Sequence, residues 1–184
     1  MPGSCGQDEH DLKGVKMELL EGILTRRSVR SYTSEEVSEE DTRRILSAAA
    51  MAPSGLNNQP WRFVTIRGEG VKEDLSRLTR YRRIVISAPL LVAVFIDRGA
   101  MYSEVKDHQG IGACIQNILL AAHGLGLGAV WLGEILKSAE EVRLRLGLAE
   151  QMELMAVVAI GHPTGESGEG VGRLPLSELL LREM

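Results

Sequence analysis

The sequence is poor in several residue types that mark particular classes of protein. Only two of its 184 residues are cysteines, Cys5 and Cys114, and aromatic residues make up 4% of the chain. Two cysteines do not build a disulfide framework, and so few aromatic side chains argue against a base-stacking platform. The formal net charge of −4 also lacks the basic surplus that nucleic-acid binding requires. We therefore expect neither a disulfide-stabilised fold nor a nucleic-acid partner.

Long apolar runs are missing as well. No run approaches the roughly 18 residues that span a bilayer, and the polar N-terminus lacks the apolar core of a secretion signal. Cys5 and His10 have no second pair of ligands beside them, so no metal site is expected. These patterns predict a cytoplasmic protein without a membrane segment. Residues 1–16 are expected to form a disordered tail, and residues 17–184 a single domain.

Helical and strand-like hydrophobic patterns follow one another along the rest of the chain. Helices are predicted at 17–27, from Ser38 onward, at 69–83, at 107–125 and from Ser138 onward, and strands at 61–66, 90–96, 129–132 and 152–160. There is no internal repeat. Strands separated by helices predict an α/β or α+β arrangement, with one sheet and helices packed against it.

The helix predicted at 107–125 is apolar on more than one face. Its main stripe repeats at spacings of three and four and consists of Ile111, Cys114, Ile115, Ile118, Leu119, Ala122 and Leu125. Ala113, Leu120 and Ala121 extend the apolar surface beyond this stripe. A helix that is apolar nearly all round needs cover on more than one side. A second subunit is a natural cover in a small domain, so the pattern predicts a homodimer.

Basic residues cluster at the end of the first predicted helix. Arg26, Arg27, Ser28, Val29 and Arg30, here called the arginine segment, place three guanidinium groups and a hydroxyl within five residues. One interpretation is a solvated helix terminus, where arginines favour the negative end of the helix dipole. The other is a site for a dianionic phosphate, since arginine donates bidentate, charge-assisted hydrogen bonds. The segment alone does not decide between them.

A second polar cluster precedes the first predicted strand. Residues 53–60, here called the amide loop, read Pro-Ser-Gly-Leu-Asn-Asn-Gln-Pro and lead into Trp61. Proline, glycine and asparagine favour a plain helix-to-strand turn. The density of serine, asparagine and glutamine exceeds what a turn needs, and these side chains carry both donors and acceptors. That composition suits the alternating polar edge of a flavin ring or a sugar chain.

The two clusters together resemble the nitroreductase-like FMN oxidoreductases. The likeness continues through the pair Ala88–Pro89 and the apolar helix with its Gly-Leu-Gly ending. Its last parts are Trp131-Leu132-Gly133, Gly161-His162-Pro163 and Arg173-Leu174-Pro175-Leu176. The resemblance implies an α+β fold with a central, mostly antiparallel sheet flanked by helices, in an intertwined homodimer that binds FMN and uses NAD(P)H as cosubstrate.

The resemblance also implies which residues contact the cofactor. The FMN contacts would be Arg26, Arg27, Ser28, Arg30, Ser54, Gly55, Asn57, Gln59, Leu132, Gly133, Glu134 and Arg173. The arginine segment would follow the phosphate, ribityl chain and ring, and the amide loop would meet a flavin bound mainly to the partner subunit. The backbone of residues 132–134 would face the redox-active edge of the ring. Relatives often carry a second basic residue near the phosphate, but this chain has Val171 there.

The activity implied is transfer of hydride from NAD(P)H through FMN to a small organic acceptor, such as a nitroaromatic or quinone, by a ping-pong mechanism. The flavin performs the difficult chemistry, so no catalytic acid–base residue is predicted. Alternatives are a reductive dehalogenase, a flavin-consuming enzyme, or a flavin-binding protein without turnover. The glycines at 124, 126 and 128 follow a helix and precede a strand, the reverse of the dinucleotide-binding order. The role of the arginines at 77, 80, 82 and 83 stays open.

Overall fold

A computed structural model describes residues 18–165 and 172–184 of the chain. Its four strands are β1 (Trp61–Ile66), β2 (Leu90–Asp97), β3 (Gly128–Leu132) and β4 (Met152–Gly161). They form one sheet in the order β1-β2-β4-β3, and every neighbouring pair is antiparallel. The predicted tail at 1–16 and the position of Val171 lie outside the described residues.

Seven helices accompany the sheet in the described part of the chain. They are α1 (Leu19–Thr25), α2 (Glu39–Ala50), α3 (Glu69–Ser76), α4 (Arg82–Ser87), α5 (Glu104–Gly124), α6 (Ala139–Arg145) and α7 (Leu176–Leu179). Short 3₁₀ turns occupy Gly55–Asn57, Arg98–Ala100 and Glu134–Ser138. The predicted α+β class and the antiparallel sheet flanked by helices are confirmed.

Strand β2 shows why the sheet needs helices on both faces. Its apolar run is buried throughout, and successive side chains of a strand point to opposite faces. Leu90, Val92, Val94 and Ile96 join the core formed with α2 and α5, whereas Leu91, Ala93 and Phe95 join the core formed with α3, α4 and α6. The continuous apolar run therefore reflects a strand covered on two sides.

Two sequence predictions about helices were right in type and need correction in detail. The segment predicted as one helix at 69–83 is two helices, α3 and α4, separated at residues 77–81. The break lies where Thr79 and the Arg80 N–H bind the carboxylate of Glu134, and a continuous helix would hide that N–H. Ser38 caps α2 as predicted, accepting a hydrogen bond from the Asp41 N–H at 2.9 Å. Ser138 does not cap α6, because the preceding 3₁₀ turn runs directly into that helix.

Exposed apolar residues gather at the two ends of the described chain. The apolar stripe of α5 is largely covered by α2 and the sheet, and Ala113, Leu120 and Ala121 are half-buried. The large exposed apolar side chains of the chain ends are Leu19, Leu20, Ile23 and Leu24 in α1, and Leu174, Leu176, Leu179, Leu180, Leu181 and Met184 near the C-terminus. The surface that lacks cover is therefore found mainly at the ends rather than on α5. No helix in the described ranges is long and apolar enough to cross a membrane.

Candidate functional site

The arginine segment runs in extended form along the edge of the sheet. The Val29 N–H donates to the Ala129 carbonyl at 3.0 Å, and Ser28 forms an isolated parallel bridge with Ala129 of β3. Val29 packs so closely on Gly128 that a Cβ atom there would lie 2.6 Å from the valine side chain. Further along, Tyr32 pairs with Pro163. The backbone of this segment is therefore fixed by β3 and by the end of β4.

The extended backbone separates the side chains of the arginine segment into two sets. Side chains two residues apart along an extended chain share a face, which groups Arg26, Ser28 and Arg30. Arg27 instead binds the backbone, because its guanidinium donates to the Leu24 carbonyl at 2.8 Å and to the Arg26 carbonyl at 3.0 Å. It thereby satisfies carbonyls at the C-terminal end of α1. The predicted FMN contact of Arg27 stays a prediction.

The guanidinium of Arg26 lies among like charges. Partial burial, followed by the positive charges of Arg173 and Arg27, lowers the pKa of Arg26. Within the described ranges, no carboxylate forms an ion pair with Arg26, Arg27, Arg30 or Arg173. The fold therefore holds positive charges together at a place where an anion would relieve their repulsion.

A cavity of ≈ 330 Å³ opens beside these charges. Arg26, Arg27 and His123 are among the polar residues that line it, and residues 126–129 and Pro163 form another part of its wall. Beside Gly126 no described atom lies within 4 Å of the place where a Cβ atom would be, so the backbone can approach a bound group closely there, whereas Val29 fills the space beside Gly128.

The amide loop has an unusual backbone. Leu56, Asn57 and Gln59 have φ angles of 53°, 55° and 44°, in the left-handed region that non-glycine residues rarely adopt. The hydroxyl oxygen of Ser54 accepts a hydrogen bond from the Gln59 N–H at 3.1 Å and holds the loop closed. Leu56 projects into solvent with 86% of its surface exposed. Strain of this kind persists only where the surroundings impose it, and it is commonest at binding sites.

A buried carboxylate anchors the amide loop. Asp107, in the first turn of α5, accepts hydrogen bonds at 2.8 Å from the Asn58 amide and from the N–H groups of Tyr102 and Ser103. Burial alone would raise the pKa of Asp107, but the bonds from Ser103, Asn58 and Tyr102 outweigh it and hold that pKa below its usual value. Asp107 thus ties the amide loop to residues 100–103. Sequence reasoning missed this residue, because its spacing from Ser103 is not that of a capping box.

The Asn58 amide also donates to the Ala100 carbonyl at 3.0 Å, which fixes the orientation of the group. The side-chain oxygen of Asn58 is consequently left as a buried acceptor with no hydrogen-bond partner in the described part of the chain. Tyr102 lies so close to Gly55 that a Cβ atom at Gly55 would collide with the tyrosine ring and its hydroxyl group. The glycine is therefore required for this contact.

The third predicted cluster follows β3. Glu134 accepts hydrogen bonds from the Thr79 hydroxyl at 2.6 Å and the Arg80 N–H at 3.1 Å, and it pairs with Lys137. The bond from Lys137, then that from Thr79, lowers the pKa of Glu134 to about 2. Its carboxylate therefore anchors the turn between α3 and α4. As the first residue of a 3₁₀ turn, Glu134 leaves its own N–H free of intrahelical bonding.

The predicted site residues thus fall into separate groups within one chain. The positive charges of Arg26 and Arg173 lie close enough to repel each other. In the described ranges, no hydrogen bond or ion pair joins the amide loop to the arginine segment. Of residues 132–134, Glu134 binds Thr79 and Arg80. Fold and site together define a small α+β protein with a cation-lined cleft for an anionic ligand.

Comparison with known proteins gives the family. The nitroreductase family model matches residues 23–81 and 72–162. A candidate NADH dehydrogenase/NAD(P)H nitroreductase from Methanothermobacter thermautotrophicus is 36% identical over 160 residues, which span 86% of this chain and 84% of the relative. The chain belongs to the nitroreductase family of NAD(P)H-dependent flavin oxidoreductases, as the sequence resemblance predicted.

Two solved structures share the fold. The crystal structure of a candidate nitroreductase from Desulfovibrio desulfuricans in complex with FMN matches with a TM-score of 0.86 and 49% identity, over 92% of this chain and 98% of that one. The NADPH:FMN oxidoreductase of Vibrio harveyi, complexed with NAD⁺, matches with a TM-score of 0.82 and 26% identity, over 90% and 76% of the two chains.

Proposed function

We propose that this protein binds FMN, takes hydride from NAD(P)H and reduces a small organic acceptor such as a nitroaromatic or a quinone. The two substrates use the same place in turn, which is a ping-pong sequence. The observation that carries the proposal is the group of guanidiniums at Arg26, Arg27 and Arg173, which form no ion pair with a carboxylate of the described residues. Arg26 and Arg27 line an open cavity. The FMN-bound relative supports the choice of anion.

The residues present fit such a cofactor on three counts. A terminal phosphate would neutralise the like charges around Arg26. The buried oxygen of Asn58, which has no hydrogen-bond partner among the described residues, and the strained backbone of the amide loop support a binding role for this region. The open space beside Gly126 lets the backbone approach a bulky group.

Arg26 and Arg173 would hold the phosphate, and Ser28 the ribityl chain. Arg30, on the same face of the extended segment as Arg26 and Ser28, would lie toward the ring, where a cation stabilises the reduced state. FMN supplies the hydride-accepting and hydride-donating chemistry when it is bound. Residues 132–134 would position the ring through their backbone, because the side chain of Glu134 is committed to Thr79 and Lys137.

Glu134, the one carboxylate among the predicted FMN contacts, is not poised for proton transfer at neutral pH. With a pKa of about 2, Glu134 stays an anion and does not act as an acid. This supports a mechanism in which the protein binds and orients the reactants rather than exchanging protons with them.

The working unit is proposed to be a homodimer. Exposed leucines of α1 and of the last eleven residues would otherwise leave large apolar patches in water. The separation of the amide loop from the arginine segment also agrees with a site that draws one group from each subunit. Sedimentation at low concentration tests this, and a stable monomer loaded with flavin contradicts it.

Purification and release of the cofactor test the central proposal. We expect a yellow protein that releases FMN, and not FAD, on denaturation. A colourless protein that fails to bind added FMN contradicts the proposal. Mixing the reduced protein with a nitroaromatic or quinone in a single turnover then separates an enzyme from a flavin-binding protein without turnover, and halogenated substrates test the dehalogenase alternative.

A further inference from the structure

One titratable side chain in the cavity wall is outside the predicted set of FMN contacts. His123 lies in the last turn of α5 and is partly buried. It lines the same cavity as Arg26 and Arg27, and Thr25 links it to α1. An imidazole at this place faces the region where the phosphate of FMN is proposed to bind.

The hydrogen bonds of Thr25 define the protonation state of the ring. The single hydroxyl proton of Thr25 is donated to the Glu21 carbonyl at 2.7 Å. The contact at 2.9 Å between the Thr25 oxygen and Nε2 of His123 must then be donated by the histidine. Nε2 therefore carries the proton of the neutral ring, and Nδ1 is the atom that a second proton would occupy. Nδ1 has no hydrogen-bond partner in the described part of the chain.

The charges around His123 oppose that second proton in the protein without ligand. Burial, followed by the positive charges of Arg26 and Arg27, lowers the pKa of His123, whereas Glu21 acts in the opposite direction. The remaining described residues that line the cavity, in β3 and around Pro163, carry no charge. The C-terminal end of α5 favours a cation at this position. A neighbouring anion would therefore reverse the balance.

We propose that His123 is a further phosphate-binding group, which takes up a proton from solvent at Nδ1 when FMN binds and donates it in a hydrogen bond to the phosphate. This rests on the proposed placement of the FMN phosphate at Arg26 and Arg173. Binding of FMN then consumes a proton, so low pH strengthens the contact from His123. The phosphate itself, with a second pKa of about 6, responds in the opposite sense.

A variant, a control variant and a control ligand separate the protonation of His123 from the titration of the phosphate itself. His123→Gln keeps a side-chain N–H that can donate to Thr25 but does not titrate. His108→Gln makes the same change near the other end of α5, where His108 contacts the Glu104 carbonyl and not the cavity. Riboflavin, which lacks the phosphate, serves as the control ligand.

Imidazole NMR on the wild-type protein gives the first readout. FMN is expected to raise the pKa of His123 by about one unit, equivalent to about tenfold tighter binding at acid pH than in His123→Gln. Riboflavin is expected to leave that pKa unchanged. Because this measurement uses the wild type, it holds even where the variant folds poorly. An equal rise with riboflavin, or no rise with bound FMN, overturns the proposal.

Calorimetry in buffers of different ionisation enthalpy gives the second readout, the number of protons taken up per FMN. Wild type and His108→Gln should take up more than His123→Gln does. Equal uptake in all three, with FMN fully bound, refutes the role of His123 and leaves the proposed function intact. A protein that binds neither FMN nor riboflavin refutes the proposed function, and the inference falls with it.

Discussion

The arginine segment and the amide loop, both assigned to the cofactor, are prepared for it in different ways. The arginine segment has an extended backbone, and its guanidiniums form no ion pair with a carboxylate in the described ranges, while Arg26 lies near the like charges of Arg173 and Arg27. The amide loop carries no net charge but holds three residues in left-handed conformations. Electrostatic repulsion disappears when an anion binds, whereas backbone strain must be held by the protein itself. The loop therefore needs an internal anchor, and Asp107 provides it.

Removal of this anchor should have the largest effect on stability. Asp107→Ala leaves the N–H groups of Tyr102 and Ser103 and the amide of Asn58 without their acceptor, so we expect a loss of about 3 kcal/mol in the free energy of unfolding. Urea denaturation measures it. Glu104→Ala, in the same helical turn but exposed, is the matched control. A loss no larger than that of Glu104→Ala would show that the amide loop keeps its conformation without Asp107.

The cost of Asp107→Ala should also depend on pH. Since the pKa of Asp107 is depressed in the folded state, its contribution is complete above the ordinary aspartate value of about 3.9. It is lost as pH falls through the lower, folded-state value. The difference between wild type and variant should therefore be constant from pH 7 to about pH 5 and shrink below about pH 4.

Arg26→Ala should change affinity and stability in opposite directions. Loss of a charge-assisted bond to phosphate is expected to weaken FMN binding by about 1.5–3 kcal/mol, or roughly 10- to 150-fold. Without FMN, relief of repulsion should leave stability equal or raised by up to about 0.5 kcal/mol. Arg62→Ala is the control, because Arg62 is paired with Asp97 at 3.0 Å and its loss should not stabilise. A clear destabilisation by Arg26→Ala would mean that its charge is already compensated.

Leu56→Gly tests the strain in the amide loop. Glycine relieves a left-handed cost of about 1–2 kcal/mol but adds about 0.5–1 kcal/mol of unfolded-state entropy, so stability should rise by up to about 1.5 kcal/mol. Met51→Gly is the matched control, since Met51 is similarly exposed but has an ordinary φ of −80° and should lose stability. Thermal melts of both variants decide it. Equal losses would show that the loop is not strained at Leu56.

Glu134→Gln should have the smallest effect. The amide oxygen can still accept from Thr79 and Arg80, and only the ion pair with Lys137 is lost. The depressed pKa means that the contribution of the charge is present above the ordinary glutamate value of about 4.3 and disappears as pH falls toward 2. Melting temperatures of wild type and variant should converge over that interval. A gap that persists at low pH would assign the effect to packing instead.

The sequence predicted the fold where local rules dominate. The alternation and apolar runs of β1, β2 and β4 and the cap of α2 at Ser38 depend on neighbours in the chain, and the structure has them as predicted. The split between α3 and α4 was not predictable in this way. It depends on Glu134, more than fifty residues away, which requires an exposed N–H at Arg80.

The same distinction applies to the site. Arginine and amide clusters are visible in the sequence because they are contiguous. Asp107 and His123 act through contacts with distant segments, at Asn58 and Thr25, and neither forms a recognisable motif. Long-range polar contacts are therefore the part of the site that only the structure supplies.

The packing of α5 against α2 has a kinetic consequence. The thiol of Cys114 is fully buried in the core that α5 forms with α2 and the sheet, and burial raises its pKa to about 12. At neutral pH this thiol is both inaccessible and protonated, so it cannot be alkylated until the core around it opens. Its alkylation rate, measured by mass spectrometry on the peptide that contains Cys114, therefore reports how often the core opens. FMN should lower the alkylation rate of Cys114 only if cofactor binding stabilises the whole core rather than the surface at which it binds.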